Sequence, residues 1–215
     1  MRKSSVAAGI KAAAKKYIFS DKKFYISLWT IAMPIVLQNF ISSSLNMVDT
    51  MMIGQVGEDQ IAAVGIANQY FLLFNLVIIG IHSGCGVFIS QFWGKGDKNN
   101  IRKVLLTGLI ASAVVAVLFM VPALFYSKGV VTIFNDETSV VSEGAKYLKI
   151  VCTSYIFTAM SFGYGFACRS IGNALIPMIA SVIGLVSNTV LNYILIFGKL
   201  GAPVMGVSGA AIATV

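Results

Sequence analysis

The most informative stretch of this chain is QIAAVGIANQYFLLFNLVIIGIHSGCGVFISQFWG, residues 60–94. Its 35 residues include no Asp, Glu, Lys or Arg. The hydrocarbon core of a bilayer is about 30 Å thick, and an α-helix crosses it with about 20 apolar residues. The stretch therefore predicts a transmembrane helix, which we place at 62–92.

Charge-poor intervals lie on both sides of that stretch. Residues 24–57 carry one charge, Asp49, and the intervals 104–127, 150–168 and 170–198 carry none. Each interval holds one membrane-crossing helix and is too short for two. We therefore predict an all-α membrane protein, a polytopic helix bundle. Its other helices are placed at 27–52, 104–126, 147–168 and 176–197, and a sixth begins near Gly206.

The composition excludes most other classes of protein. Hydrophobic residues make up 57% of the 215 residues and charged residues 11%, against about 45–50% and 25% in soluble domains. Such a chain has too little polar surface for a soluble enzyme or a disordered tail. Its three cysteines lie in apolar stretches without metal-binding spacing, so neither a disulfide framework nor a cysteine metal site is predicted.

The basic residues indicate topology rather than nucleic-acid binding. The net charge is +8, but no basic face alternates with stacking aromatics, so no nucleic-acid partner is predicted. With the N-terminus inside, inner segments hold twelve Lys and Arg and outer segments four. Basic residues favour the cytoplasmic side. We therefore predict a multi-pass protein of the cell membrane with a cytoplasmic N-terminus, in which residues 1–23 form a basic interfacial tail and residues 24–215 the membrane lobe.

The motif GIHSGCG, residues 80–86, allows two interpretations. His82 beside Ser83 suggests a hydrolase, but no acid orients the histidine, so no enzyme is predicted. Gly80 and Gly84 form a GxxxG pair, which favours close contact between membrane helices. We adopt the second interpretation.

Asp49 is the only acidic residue inside a predicted span. A charged Asp at the bilayer centre costs about 2.5–3.5 kcal/mol, so it indicates a cation or proton site, unless the carboxylate reaches the outer interface or caps a helix end. Asn188 and Asn192 lie four residues apart and share a helix face. Their amide oxygens suit a hard cation such as Na⁺, or they hydrogen-bond between helices.

The order of motifs along the chain resembles the multidrug and toxic compound extrusion (MATE) family. PIVLQNFISSSLNMVDTMMIG, residues 34–54, is similar to that family's first helix, and QFWGKGD, residues 91–97, to its connection between helices two and three. RSIGNALIPM, residues 169–178, resembles the loop between helices four and five. NTVLNYILIFG, residues 188–198, and the glycine-rich segment after it resemble helices five and six.

The resemblance implies one lobe of a two-lobe transporter that exports amphipathic, often cationic compounds in exchange for Na⁺ or H⁺. It makes Asp49 the coupling carboxylate, joined by Asn188 and Asn192 as a Na⁺ or proton site, and assigns Tyr147 and Thr214 to the same site. Some branches carry Asp where Asn192 stands, so the coupling ion stays open. Two further polar residues of the first helix are predicted to line the substrate cavity, Gln38 and Asn46.

The short sixth segment, GVSGAAIATV, suggests that the chain is a fragment whose partners include the bilayer, an amphipathic substrate and a C-terminal lobe of the same protein. No cofactor beyond the coupling ion is expected. One rival is a flippase for lipid-linked oligosaccharides, which would line its lobe with Lys and Arg for pyrophosphate. The charge-free intervals hold none. A second rival is a membrane assembly or anchor module that transports nothing.

Overall fold

The computed structural model describes residues 22–55, 57–201 and 203–215, and the regular structure within them is helical. Each predicted transmembrane helix overlaps one segment long and apolar enough to cross a membrane, which confirms the five spans in number and order. These segments are Lys22–Gly54, Glu58–Gly94, Lys98–Phe125, Thr138–Ser170 and Leu175–Phe197. Residues 1–21 of the predicted basic tail lie outside the described residues.

The described residues form eight α-helices and one 3₁₀ turn. They are α1 (Lys22–Gly54), α2 (Glu58–Gly94), α3 (Lys98–Phe125), α4 (Ser127–Thr132), α5 (Thr138–Val151), α6 (Tyr155–Ser170), α7 (Leu175–Phe197) and α8 (Val207–Thr214). The 3₁₀ turn, Cys152–Ser154, joins α5 to α6, so these three elements together make the fourth span.

The fourth span begins at Thr138, well before the predicted start at 147. Its first part is amphipathic. Glu143 and Lys146 form a 2.7 Å ion pair on its outer side, while Val140 and Leu148 are buried. A span predicted from missing charges was therefore too short here.

The 3₁₀ turn follows from three side chains in a row. Cys152, Thr153 and Ser154 each donate to the carbonyl oxygen three residues earlier, at 3.2, 2.7 and 2.7 Å. Polar side chains that bond the preceding turn distort helices, and the tighter i→i+3 pattern is typical of 3₁₀ structure.

The helices divide into two groups. α2 packs against α3, α5 and α6, and their shared core includes Phe74 stacked on Tyr155 with ring centroids 4.6 Å apart. α1 packs mainly against α7, and α8 contacts both α7 and α5. Only Pro34 and Ile53 of α1 are buried, so the pair α1–α7 has few attachments to the four-helix group besides α8.

Close helix contact in this bundle involves other glycines than predicted. Among the described residues, a Cβ built on Gly80 or Gly84 would meet no atom within 4 Å, so the predicted close helix contact at this GxxxG pair was wrong. Instead, a Cβ on Gly163 of α6 would lie 2.9 Å from His82 Cε1, and one on Gly108 of α3 would lie 3.5 Å from His82 Nδ1. These two glycines make room for the buried imidazole between α2, α3 and α6.

Helix α3 begins at Lys98 because Asp97 caps it. The Asp97 carboxylate accepts from the Asn100 backbone N–H at 3.1 Å and from the Asn100 side-chain amide at 2.6 Å. These bonds favour the charged carboxylate and lower the pKa of Asp97 from its usual value.

Candidate functional site

Asp49 of α1 lies against α7. Its Oδ1 accepts a hydrogen bond from Asn192 Nδ2 at 2.5 Å. Asn188 and Asn192 are 8% and 0% exposed, and they face the same side of α7 one turn apart. The structure therefore brings the predicted carboxylate together with both predicted amides.

The hydrogen bonds fix the orientation of both amides. Asn188 Nδ2 donates to the Ala213 carbonyl oxygen of α8 at 3.1 Å, which turns Asn188 Oδ1 towards Asn192. Asn192 Nδ2 donates to that oxygen at 2.9 Å and, with its other hydrogen, to Asp49. An amide nitrogen has two donors, so both are used, one on Asn188 and one on the Asp49 carboxylate.

One oxygen of this group is left over. Asn192 Oδ1 is buried and has no hydrogen-bond partner among the described residues. A buried polar atom without a partner is costly and calls for an explanation such as a water or an ion. An amide oxygen beside a carboxylate has the chemistry of a ligand for a hard cation.

Asp49 also lines a cavity of about 580 Å³ among α1, α2, the fourth span and α8. Three other predicted site residues line the same cavity: Asn46, Tyr147 and Thr214. Tyr147 is 5% exposed, so its phenol is buried in the wall of this cavity. The carboxylate, the phenol and the hydroxyl thus share one space.

Gln38 lies elsewhere. It lines a second cavity of about 600 Å³, bordered by α1, α6 and α7, where Gln38 Nε2 donates to Ser181 Oγ of α7 at 2.9 Å. The two residues predicted for one substrate cavity, Gln38 and Asn46, therefore line two different cavities.

Five polar lining residues of the Asp49 cavity were missed as site residues from the sequence. They are Thr50, Asn68, Asn75, Ser154 and Thr158. Asn75 Oδ1 is buried and, like Asn192 Oδ1, has no partner in the described part of the chain. Neutral polar residues are common in membrane helices, so only their tertiary placement distinguishes these five.

The ligand atoms here are mainly neutral oxygens. Across residues 22–55, 57–201 and 203–215, no three His, Cys, Asp or Glu side chains cluster as a metal site would require. The cavity offers one negative charge, amides and hydroxyls, which suit a weakly held monovalent cation or a proton better than a tightly bound transition metal.

Comparison with known proteins identifies the family. The MatE family model matches residues 34–194. The chain is 28% identical over 194 residues to the probable multidrug resistance protein NorM of Thermotoga maritima. It is 29% identical over 192 residues to the multidrug resistance protein NorM of Photobacterium profundum. These alignments cover 86% and 87% of the chain but only 40% and 41% of the relatives.

Solved structures agree with this assignment. The MATE multidrug transporter DinF-BH matches with a TM-score of 0.80 and 26% identity, over 87% of this chain and 42% of that one. An outward-facing MATE family transporter of the MOP superfamily matches with a TM-score of 0.79 and 23% identity, over 87% of this chain and 41% of that one. The predicted all-α membrane bundle is confirmed, and its fold matches part of these longer transporters. The chain belongs to the MatE family of membrane transporters, which are not enzymes.

Proposed function

We propose that the protein is a secondary antiporter that exports amphipathic, often cationic drugs or toxic metabolites in exchange for Na⁺ or H⁺, with Asp49 as the coupling carboxylate. The observation that carries the proposal is a single carboxylate in a polar cavity of a membrane bundle, held by a buried amide. The chain spans about 40% of the length of the curated relatives it matches, so the activity of the whole protein belongs to this proposal.

Exchange follows from competition for one negative charge. A bare Asp49 in the bundle attracts a cationic substrate, while a bound ion or proton neutralises the same carboxylate and removes that attraction. Ion and substrate therefore exclude each other, as antiport requires. A membrane potential of 100 mV contributes about 2.3 kcal/mol per charge moved, which corresponds to roughly a 50-fold concentration ratio.

The two coupling ions make different demands on Asn192. A proton on the second carboxylate oxygen of Asp49 leaves the bond from Asn192 Nδ2 intact. Na⁺ bound to Asp49 and Asn192 needs an oxygen where that nitrogen lies, so the Asn192 amide has to turn over and give up its bond to Asn188. The unpartnered Asn192 Oδ1 supplies the required ligand.

The other predicted residues take supporting roles in this scheme. Tyr147 and Thr214 close the Asp49 cavity beside the carboxylate, and Asn46 offers an amide to the substrate. Gln38 lines the second cavity and has no assigned role in this scheme. In this scheme the N-terminus lies in the cytoplasm. The helices act as one lobe that faces a second lobe across a central cavity.

The rival functions fit the cavity less well. A flippase for lipid-linked oligosaccharides needs cations for pyrophosphate, whereas the described residues that line the Asp49 cavity include no Lys or Arg. A membrane assembly or anchor module does not require a carboxylate within the bundle, and such a carboxylate costs energy in the bilayer.

The test is efflux of a cationic dye from cells or proteoliposomes that contain the full-length protein. We expect Asp49→Asn to abolish ion-coupled efflux while membrane insertion persists. Asp97→Asn is the matched control, since it removes the same charge from the connection between α2 and α3. Normal dye efflux from the Asp49 variant would refute the coupling role, and no efflux from the unaltered protein would favour the anchor module.

A further inference from the structure

The second cavity differs from the first in the sign of its charge. It lies between α6 and the pair α1–α7, and the charged side chain that lines it is Arg169. Of the described residues in its wall, none is acidic. The polar part of the wall also contains Gln38 and Ser181, which are bonded to each other across α1 and α7.

The guanidinium of Arg169 has N–H donors that no hydrogen bond to the described residues uses. Its Nε donates to the Gly165 carbonyl oxygen at 3.1 Å, and the guanidinium lies 4.9 Å from the centre of the Phe166 ring. Both partners belong to its own helix, and neither carries a charge. No carboxylate forms an ion pair with Arg169 within the described ranges. A guanidinium has five N–H donors in a fork that fits two oxygens of a phosphate.

The opposite part of the wall is apolar and open. Phe157, Tyr164 and Ile176 line the cavity and are exposed. Exposed large apolar side chains on membrane helices offer a surface on which lipid tails pack. The cavity therefore joins a cationic, hydrogen-bonding end to an apolar opening, and the matching ligand is an anionic amphiphile.

The depth of the cavity fits a lipid headgroup. Arg169 lies in the last turn of α6, which ends at Ser170, so its guanidinium is close to the membrane surface. A Cβ on Gly86 would lie 2.8 Å from Ser170 Oγ, so α2 and α6 approach each other near this surface. Exposed Arg102 and Lys103 lie in the first turns of α3, outside the wall of this cavity.

We propose that this cavity binds an anionic phospholipid, with the phosphate on Arg169 and an acyl chain along the apolar opening. A zwitterionic headgroup fits less well, because none of the described wall residues is an acid that could pair with its ammonium group. Cationic cargo is excluded by the charge of Arg169, so the cavity is distinct from the Asp49 site. The bound lipid wedges between α6 and the pair α1–α7.

The experiment uses the purified full-length protein in neutral detergent micelles, with phosphatidylglycerol or phosphatidylcholine added. Native mass spectrometry measures retained lipid, and a thermal melt measures the shift in Tm. We expect phosphatidylglycerol to be retained and to raise Tm, and Arg169→Gln to weaken its retention at least about tenfold, as expected for a lost charged hydrogen bond. Lys103→Gln, which removes a charge from the same end, leaves retention unchanged.

A second variant keeps the charge. Ala180 lines the cavity, and Ala180→Phe fills it without altering Arg169, so we expect the same loss of retention from a protein with its full charge. Equal retention of the two lipids, equal loss in the Arg169 and Lys103 variants, or an equal rise in Tm with inorganic phosphate would each overturn the proposal.

Discussion

Replacing Asp49 and Asn192 with leucine, singly and together, should reveal a coupling energy of about 1.5–3 kcal/mol in the free energy of unfolding. The pair is joined by one 2.5 Å hydrogen bond between a carboxylate and a buried amide. Bonds to charged groups are about twice as strong as neutral ones. Asn192→Leu also breaks the bond to Asn188, but that loss occurs in both the single and the double variant, so the cycle cancels it.

The same two helices supply the control. Gln38 of α1 and Ser181 of α7 are joined by one neutral bond of 2.9 Å. Neutral hydrogen bonds between membrane helices average about 0.6 kcal/mol in such cycles. Gln38→Leu and Ser181→Ala, singly and together, should therefore give a coupling energy several times smaller.

The assay is reversible unfolding of each variant in mixed micelles, followed by tryptophan fluorescence. Coupling at Asp49–Asn192 that does not exceed the coupling at Gln38–Ser181 would refute the reasoning, because the carboxylate bond would then contribute no more than a neutral one. The reasoning would also be refuted if the loss of unfolding free energy in the double variant equalled the sum of the losses in the two single variants.

Two further predictions concern the helix ends and contacts. Gly209→Ala should destabilise the fold by about 1–3 kcal/mol, because its Cβ would lie 2.7 Å from a backbone carbonyl oxygen of α7. Gly80→Ala, whose Cβ would meet no described atom within 4 Å, should be neutral or slightly stabilising in the same unfolding assay. Asp97→Ala should lower Tm at neutral pH by removing the cap on Asn100, whereas Asp136→Ala should not. Since the folded protein lowers the pKa of Asp97, its stabilisation is complete above the usual Asp pKa and is lost as pH falls through the lowered value. The Tm of the Asp97→Ala variant and the Tm of the unaltered protein should therefore converge in acid. A difference between them that persists in acid would contradict the capping role of Asp97.

The sequence predicted the spans because charges are costly in lipid and their absence marks a helix. The same rule misplaced the start of the fourth span, since α5 carries Glu143 and Lys146 on an exposed side while burying its other side. An amphipathic helix end at the membrane surface tolerates charges that a rule based on charge-free intervals excludes.

The site was predictable in part for a similar physical reason. Asp49 is conspicuous because it is a lone acid in a span, and Asn188 with Asn192 because their spacing puts them on one face. Gln38 could not be placed from the sequence alone. It lies eleven residues before Asp49, or about 16 Å along a helix, and at that level α1, α6 and α7 border a separate cavity.

The bond between Asp49 and Asn192 joins residues 143 positions apart, and this distance has a consequence for biogenesis. A ribosome that adds about 5–20 residues per second takes roughly 7 to 30 s to synthesise α7 after the Asp49 segment. For that time the nascent first helix carries a carboxylate without its amide. Until then the Asp49 segment must remain at the translocon, in water, or against a helix made earlier. The last of the five spans therefore supplies the hydrogen-bond partner of the first.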